Sequence, residues 1–132
     1  MEFSVQTSKK QEIIGITDEV SAIIRKSSIK NGLCNVFVRH ATAALIINEN
    51  ADPNICIDFL NALNKAIPDH AGYLHDMVDN NAGAHMKAAL IGPSETIPVK
   101  EGKLLLGKWQ SIMLVELDGP RERNINVEII KS

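Results

Sequence analysis

The chain has 132 residues, 45% of them from the set AVILMFWYC and 23% charged, which is the composition of one globular domain and not of a disordered, collagen-like or coiled-coil chain. Fourteen Lys and Arg against sixteen Asp and Glu leave a formal charge of −2, so the positive excess needed to neutralise a run of phosphates is absent and nucleic acid is not an expected partner. No apolar stretch approaches the roughly 18 to 20 residues that cross a bilayer, and MEFSVQTSKK lacks the basic-then-apolar order of a signal peptide, so no membrane partner and a cytoplasmic location are expected.

Phe3-Ser4-Val5 and Glu12 to Ile16 read as extended pieces joined through Ser8-Lys9-Lys10 into a hairpin. Thr17 or Asp18 can cap a helix of about three turns, in which Val20, Ile23 and Ile24 recur at helical spacing and Gly32 follows the polar end. Leu33 to Asn48 is strand, either two strands or one bent near His40, because its β-branched and apolar run has no 3.6-residue period. Asp52-Pro53 forms an N-cap and first turn, after which Cys56, Phe59, Leu60, Leu63 and Ile67 line one helical face and Pro68 closes it.

Residues 69–80 are polar, contain Gly72 and show no sustained period, which predicts a loop. Ala82 to Leu90 is a short Ala-rich helix between Asn81 and Gly92. Thr96–Val99, Leu104–Leu106, Trp109–Leu117 and Ile125–Ile130 are strands separated by turns at 100–103 and 118–120. The order predicts a single α+β domain over residues 1–132, with one mixed or antiparallel sheet and helices packed on it. Runs such as SIMLVEL predict strands covered on both faces. Cys34 and Cys56 lie in apolar contexts without a CxxC spacing and read as buried thiols.

Three of the four histidines, His70, His75 and His85, lie in or just after the central loop, while His40 ends a strand. Imidazole is a common ligand of transition metals, though these spacings match no local zinc signature, and satisfied or solvated histidines are the commoner explanation of such a cluster. Arg121 and Arg123, two apart, would share a strand face and form a multi-donor cradle for phosphate or carboxylate, or else belong to a solvated turn. Glu116 falls on an apolar strand face, so it must be bonded to an Arg or act at a site. His40, Thr42, Asn48 and Glu49 put polar groups at both ends of an apolar strand. The stretch Asn80 to His85 offers N–H groups at a helix start, where anions bind.

Together, HATAALIINENADP, YLHD, NNAGAHMKAALIGPSETIPVKEGKLLLGKWQ and ELDGPRER resemble the YjbQ family, labelled secondary thiamine-phosphate synthase enzymes, from about residue 13 to the C-terminus. The resemblance implies a compact α+β fold, a homotrimer with pockets near the subunit boundaries, and a divalent metal on His40, His75 and His85. Zinc suits three imidazoles, and magnesium is possible for a diphosphate reaction. It also makes Glu49 and Glu116 the candidate acid/base residues, and Thr42, Asn48, Trp109, Gln110, Arg121 and Arg123 the candidate substrate-binding ones. Ala41 stands where the family more often has Thr or Ser, and His70 matches no motif.

The implied reaction joins a hydroxymethylpyrimidine diphosphate to a thiazole phosphate and releases pyrophosphate. The chain lacks a DDxxD-like carboxylate pair for Mg²⁺, so this activity is expected to be secondary to another. The alternatives are a metal-assisted hydrolase of a small anionic substrate and a non-catalytic trimer that binds a metal or anion.

Overall fold

The computed structural model describes residues 1–132. Eight strands and three α-helices follow the chain as β1 (Glu2–Gln6), β2 (Glu12–Gly15), α1 (Thr17–Ser27), β3 (Gly32–Val38), β4 (Ala43–Glu49), α2 (Pro53–Ala66), α3 (Ala82–Ile91), β5 (Ser94–Lys100), β6 (Lys103–Leu104), β7 (Gln110–Glu116) and β8 (Glu122–Lys131). A 3₁₀ turn, Leu74–Met77, interrupts the loop before α3. None of the helices is long and apolar enough to cross a membrane.

The α+β architecture follows the sequence pattern, but the strands form two antiparallel sheets instead of one. The larger has the order β1-β8-β3-β5-β6, the smaller β2-β7-β4. The expected hairpin of the first two strands is not made: β1 pairs with β8 while β2 pairs with β7. A short turn permits a hairpin without requiring one, and here each strand takes its partner from the C-terminal part of the chain.

Period two along the smaller sheet divides its side chains between two cores. Ala43, Leu45, Ile112 and Leu114 join Val20 and Ile24 of α1 and the inner face of the larger sheet. Ala44 and Val115 turn the other way, against Leu63 of α2 and Ala84 and Ala88 of α3. The apolar runs of β4 and β7 are therefore covered on both faces. Asp52 caps α2 by accepting from the Asn54 N–H, with Pro53 in its first turn, as its position before Pro53 predicts.

These registers create the site. The chain leaves the larger sheet after Val38, paired with Ile125, and enters the smaller at Ala43, paired with Glu116. It crosses back between Glu116 and Glu122. Both crossings lie at one corner, and residues 39–42 and 117–123 face each other there.

Candidate functional site

Two crossing segments and the start of α3 enclose a cavity of about 440 Å³, lined by His40, Ala41, Thr42, Asp79, Asn81, His85, Asp118, Arg121 and Arg123. Its floor is an ion pair taken out of solvent. Arg123 is 1% exposed and Glu116 0%. Arg123 Nε donates to both carboxylate oxygens of Glu116, at 2.9 and 3.1 Å, and Nη2 also donates to Glu116. Nη2 further reaches the Thr42 carbonyl at 3.1 Å and its hydroxyl at 2.9 Å. Nη1 has no partner in the protein, and Arg123 lines the cavity, so this end of the guanidinium is available to a ligand.

Glu116 receives two more bonds, from the Thr7 hydroxyl at 2.7 Å and the Asp118 N–H at 3.1 Å. Burial alone would raise its pKa, but the bonds from Arg123, Thr7 and Asp118 outweigh it and hold the carboxyl below its usual range. Every strong donor around it is spent, and it does not line the cavity. Of the two alternatives for Glu116, the structure shows the bonded one: it is the buried partner that fixes Arg123, because an unpaired carboxylate on that strand face would be too costly.

His40 accepts the Asn124 N–H on Nε2 at 2.9 Å. Burial, followed by the charge of Arg123, lowers its pKa, against an opposing pull from Glu116. The ring is therefore neutral near pH 7, and with Nε2 accepting, Nδ1 carries the proton. The Thr42 hydroxyl accepts from Arg123 and keeps its own proton for donation. Arg121, exposed, donates to the Asp118 carbonyl at 2.7 Å and to its carboxylate at 2.9 Å. The two arginines line the same cavity but differ: Arg123 is buried and Arg121 is exposed at the rim.

The three histidines do not form a ligand set. His75 and His85 meet edge to face, ring centroids 4.7 Å apart. His85 lines the same cavity as His40, whereas His75 belongs to a neighbouring, more apolar opening with Tyr73, Leu74 and Met86. No three His, Cys, Asp or Glu side chains are arranged to hold a metal ion. The donor chemistry suits zinc, while in this arrangement one His40 nitrogen is bonded to the Asn124 N–H and the His75 and His85 rings pack on each other.

The start of α3 is not an open anion site either. The Ala82 N–H is taken by Asp76 Oδ1 at 2.9 Å. Asn81 makes no cap bond to the helix and donates to Asp118 Oδ2 at 2.8 Å.

Asn48, Glu49, Trp109 and Gln110 are at the other end of the smaller sheet. Asn48 pairs with Ser111 and Glu49 with Gln110, the latter six residues along β4 from the Ala43–Glu116 pair, or roughly 20 Å at the rise of an antiparallel strand. Gln110 closes a local turn by accepting from the Gly107 N–H, and Trp109 is 59% exposed. Within one chain none of the four lines the His40 cavity. Strand alternation marks which side chains share a face but not which end of the strand the site occupies. Conversely, Asp79, Asn81 and Asp118 line the cavity although no site role was expected of them. Their signal was present, since Asn81 stands in the NNAGAH stretch and Asp118 in DGPRER.

The chain matches the model of the family described as "UPF0047 protein YjbQ-like" over residues 1–132. It is 45% identical over 128 residues to a UPF0047 protein of Methanothermobacter thermautotrophicus, covering 97% of this chain and 89% of that one. UPF0047 protein YugU of Bacillus subtilis is 37% identical, with 96% and 95% covered. Among solved structures, a YbjQ-like protein of unknown function from Sulfolobus solfataricus superposes with a TM-score of 0.96 at 43% identity, covering 100% of this chain and 96% of that one. A YjbQ/UPF0047 protein from Clostridium acetobutylicum gives 0.95 at 43% identity, with 98% and 99% covered.

Proposed function

Since the chain belongs to the UPF0047 YjbQ-like family, we propose that it is an enzyme that acts on a small phosphorylated or otherwise anionic molecule in the His40–Arg123 cavity, with weak thiamine-phosphate synthesis as one activity. The observation that carries this reading is the Arg123 guanidinium, fully buried, rigidly held on two edges and unpartnered on the third where it lines a cavity. Fixed donors in a site of restricted water access stabilise charge that develops on a leaving group without having to reorganise. Arg123 Nη1, the Nδ1–H of His40 and the Thr42 hydroxyl would bind the diphosphate of a hydroxymethylpyrimidine substrate. His85 is a cavity group able to take or give a proton, and Arg121 is long enough to close over the anion. Glu116 and Thr7 take no part in the chemistry and hold Arg123.

The test is direct. Purified protein is titrated with inorganic pyrophosphate by calorimetry, and thiamine phosphate is assayed from the two phosphorylated precursors. We expect pyrophosphate binding that weakens by about tenfold, or 1.4 kcal/mol, in His85→Ala and Arg121→Ala. A chain that binds neither pyrophosphate nor inorganic phosphate is not this enzyme.

A divalent metal on His40, His75 and His85 is a second reading, favoured by the contact of the His75 and His85 rings beside the cavity of His40. It requires those two rings to part, and no step above passes through it. Metal analysis of protein purified without chelator decides: stoichiometric zinc lost in both His75→Ala and His85→Ala supports it, and its presence in neither wild type nor variants rejects it.

A homotrimer is part of the same proposal, supported by Leu74, Met77 and Val78, three large apolar side chains exposed side by side next to the cavity. Light scattering that returns the mass of one chain would reject it. A cytoplasmic location belongs to the proposal on the sequence reading alone.

A further inference from the structure

The cavity has two walls of opposite chemistry. The strand wall presents donors: Arg123 Nη1, the Thr42 hydroxyl and the Nδ1–H of neutral His40. The wall formed by α3 and the segment before it presents acceptors. Asn81 is decisive. Its Nδ2 donates to Asp118 Oδ2, and a carboxylate can only accept, so the amide cannot turn over and Oδ1 must be the other end. That Oδ1 is buried and has no partner. Asp76, behind this wall and not lining the cavity, holds the Ala82 N–H with Oδ1 and has His70 Nδ1 3.7 Å from Oδ2. Asp79 lines the same cavity with His75, at 3.7 Å, as its ion-pair partner. Buried acceptors are almost always satisfied in folded proteins, so one left over beside a cavity marks a position for a donor that the protein itself does not supply.

A bare anion would satisfy the strand wall and leave the helix wall unmet. From this we infer that the cavity takes a two-ended molecule, a phosphate or carboxylate that also bears an amine or hydroxyl, with the anion on Arg123, Thr42 and His40 and the donor group on Asn81 and Asp79. This rests on the reading of the cavity as a substrate site and adds the chemical class of the substrate's other end. Net charge agrees: Glu116 already neutralises Arg123 and Asp118 neutralises Arg121, so the cavity is bipolar rather than uniformly basic.

The test compares two phosphomonoesters of similar size, O-phosphoethanolamine and ethyl phosphate, with inorganic phosphate as reference, by calorimetry on the wild-type chain, Asn81→Ala and Asp79→Asn. The inference expects O-phosphoethanolamine to bind about tenfold more tightly than ethyl phosphate in the wild type, and that ratio to collapse toward one in at least one of the variants. Asp79 is exposed, so Asp79→Asn will fold even if Asn81→Ala does not. Equal binding of the two esters to the wild type, or a preference that persists in both variants, overturns the inference while leaving the anion site standing. No binding of inorganic phosphate or either ester overturns both.

Discussion

Arg123 and Glu116 lie on adjacent strands of different sheets, seven residues apart, and share three hydrogen bonds at nearly zero exposure. The pair spans the corner at which the chain changes sheets, so it is both the floor of the cavity and the clasp between the two halves of the fold. Removing one partner leaves a buried charge without compensation, which costs about 3–5 kcal/mol. Glu116→Gln is therefore expected to lower stability by that order in urea unfolding, whereas Arg121→Ala, at the exposed rim, should change it by less than about 1 kcal/mol. Equal losses in the two variants would contradict the assignment.

The close approach at this corner also depends on Gly119. A Cβ there would lie 2.4 Å from the Lys9 carbonyl oxygen and 2.8 Å from Glu116 Cγ. Both neighbours are pinned, the first as backbone and the second by Arg123. Gly119→Ala should cost about 1–3 kcal/mol as an overpacked site and weaken phosphate binding along with it. A variant as stable as the wild type would show that the corner can yield.

His40 sets a pH dependence. Its folded pKa lies below the ordinary value of about 6.5, so the unfolded chain takes up a proton first as the pH falls. The contribution is fully present above about 6.5 and is lost as the pH falls through the lower folded pKa, because a protonated Nε2 cannot accept the Asn124 N–H. Stability should decline between pH 7 and 5.5 more steeply in the wild type than in His40→Gln, which can accept that N–H without titrating. Parallel declines would show that His40 does not report on folding.

Lys87 and Asp69 tie the histidine-bearing loop to α3. The Lys87 side chain is 0% exposed and its Nζ donates to Asp69 Oδ1 at 3.1 Å, while a Cβ on Gly83 would meet that same oxygen at 2.1 Å. Asp69→Ala leaves a buried ammonium without its half-exposed partner and should destabilise the chain by about 1–3 kcal/mol, and Lys87→Met should cost less because it removes the charge that needs pairing. Hydrogen exchange across residues 69–81 should quicken in both. The reverse order of stabilities would refute the pairing logic.

The four polar residues at the far end of the smaller sheet provide a separate check on the site's location. Trp109→Ala is expected to leave the affinity for inorganic phosphate within about twofold, against a loss of about tenfold in His85→Ala. A large loss in Trp109→Ala would place that end of the sheet, from the same or another copy of the chain, at the binding site.

What could be read from the residues alone was whatever depends on near neighbours. The Asp52 cap of α2, the apolar periods of α1 and α2, the strand runs, and the need for Glu116 to be paired or placed at a site follow from local pattern and from the cost of burying a carboxylate, whereas α1 starts after Ile16 and α3 after Asn81 with no side-chain cap bond. The resemblance also brought His40, Thr42, His85, Arg121 and Arg123 forward, and they do line one cavity. Tertiary structure decided the rest. Pairing β1 with β8 and β2 with β7 split the expected single sheet in two, and that split makes the corner where the cavity lies. The same long-range registers sent Asn48, Glu49, Trp109 and Gln110 to the opposite end, turned Glu116 from an acid/base candidate into a buried clasp, and left Asn81 with an unmet acceptor. Alternation along a strand is a property of two adjacent peptides, whereas which strand ends meet is set by ladders between residues as much as 124 positions apart, as with Glu2 and Asn126, and no local pattern encodes that choice.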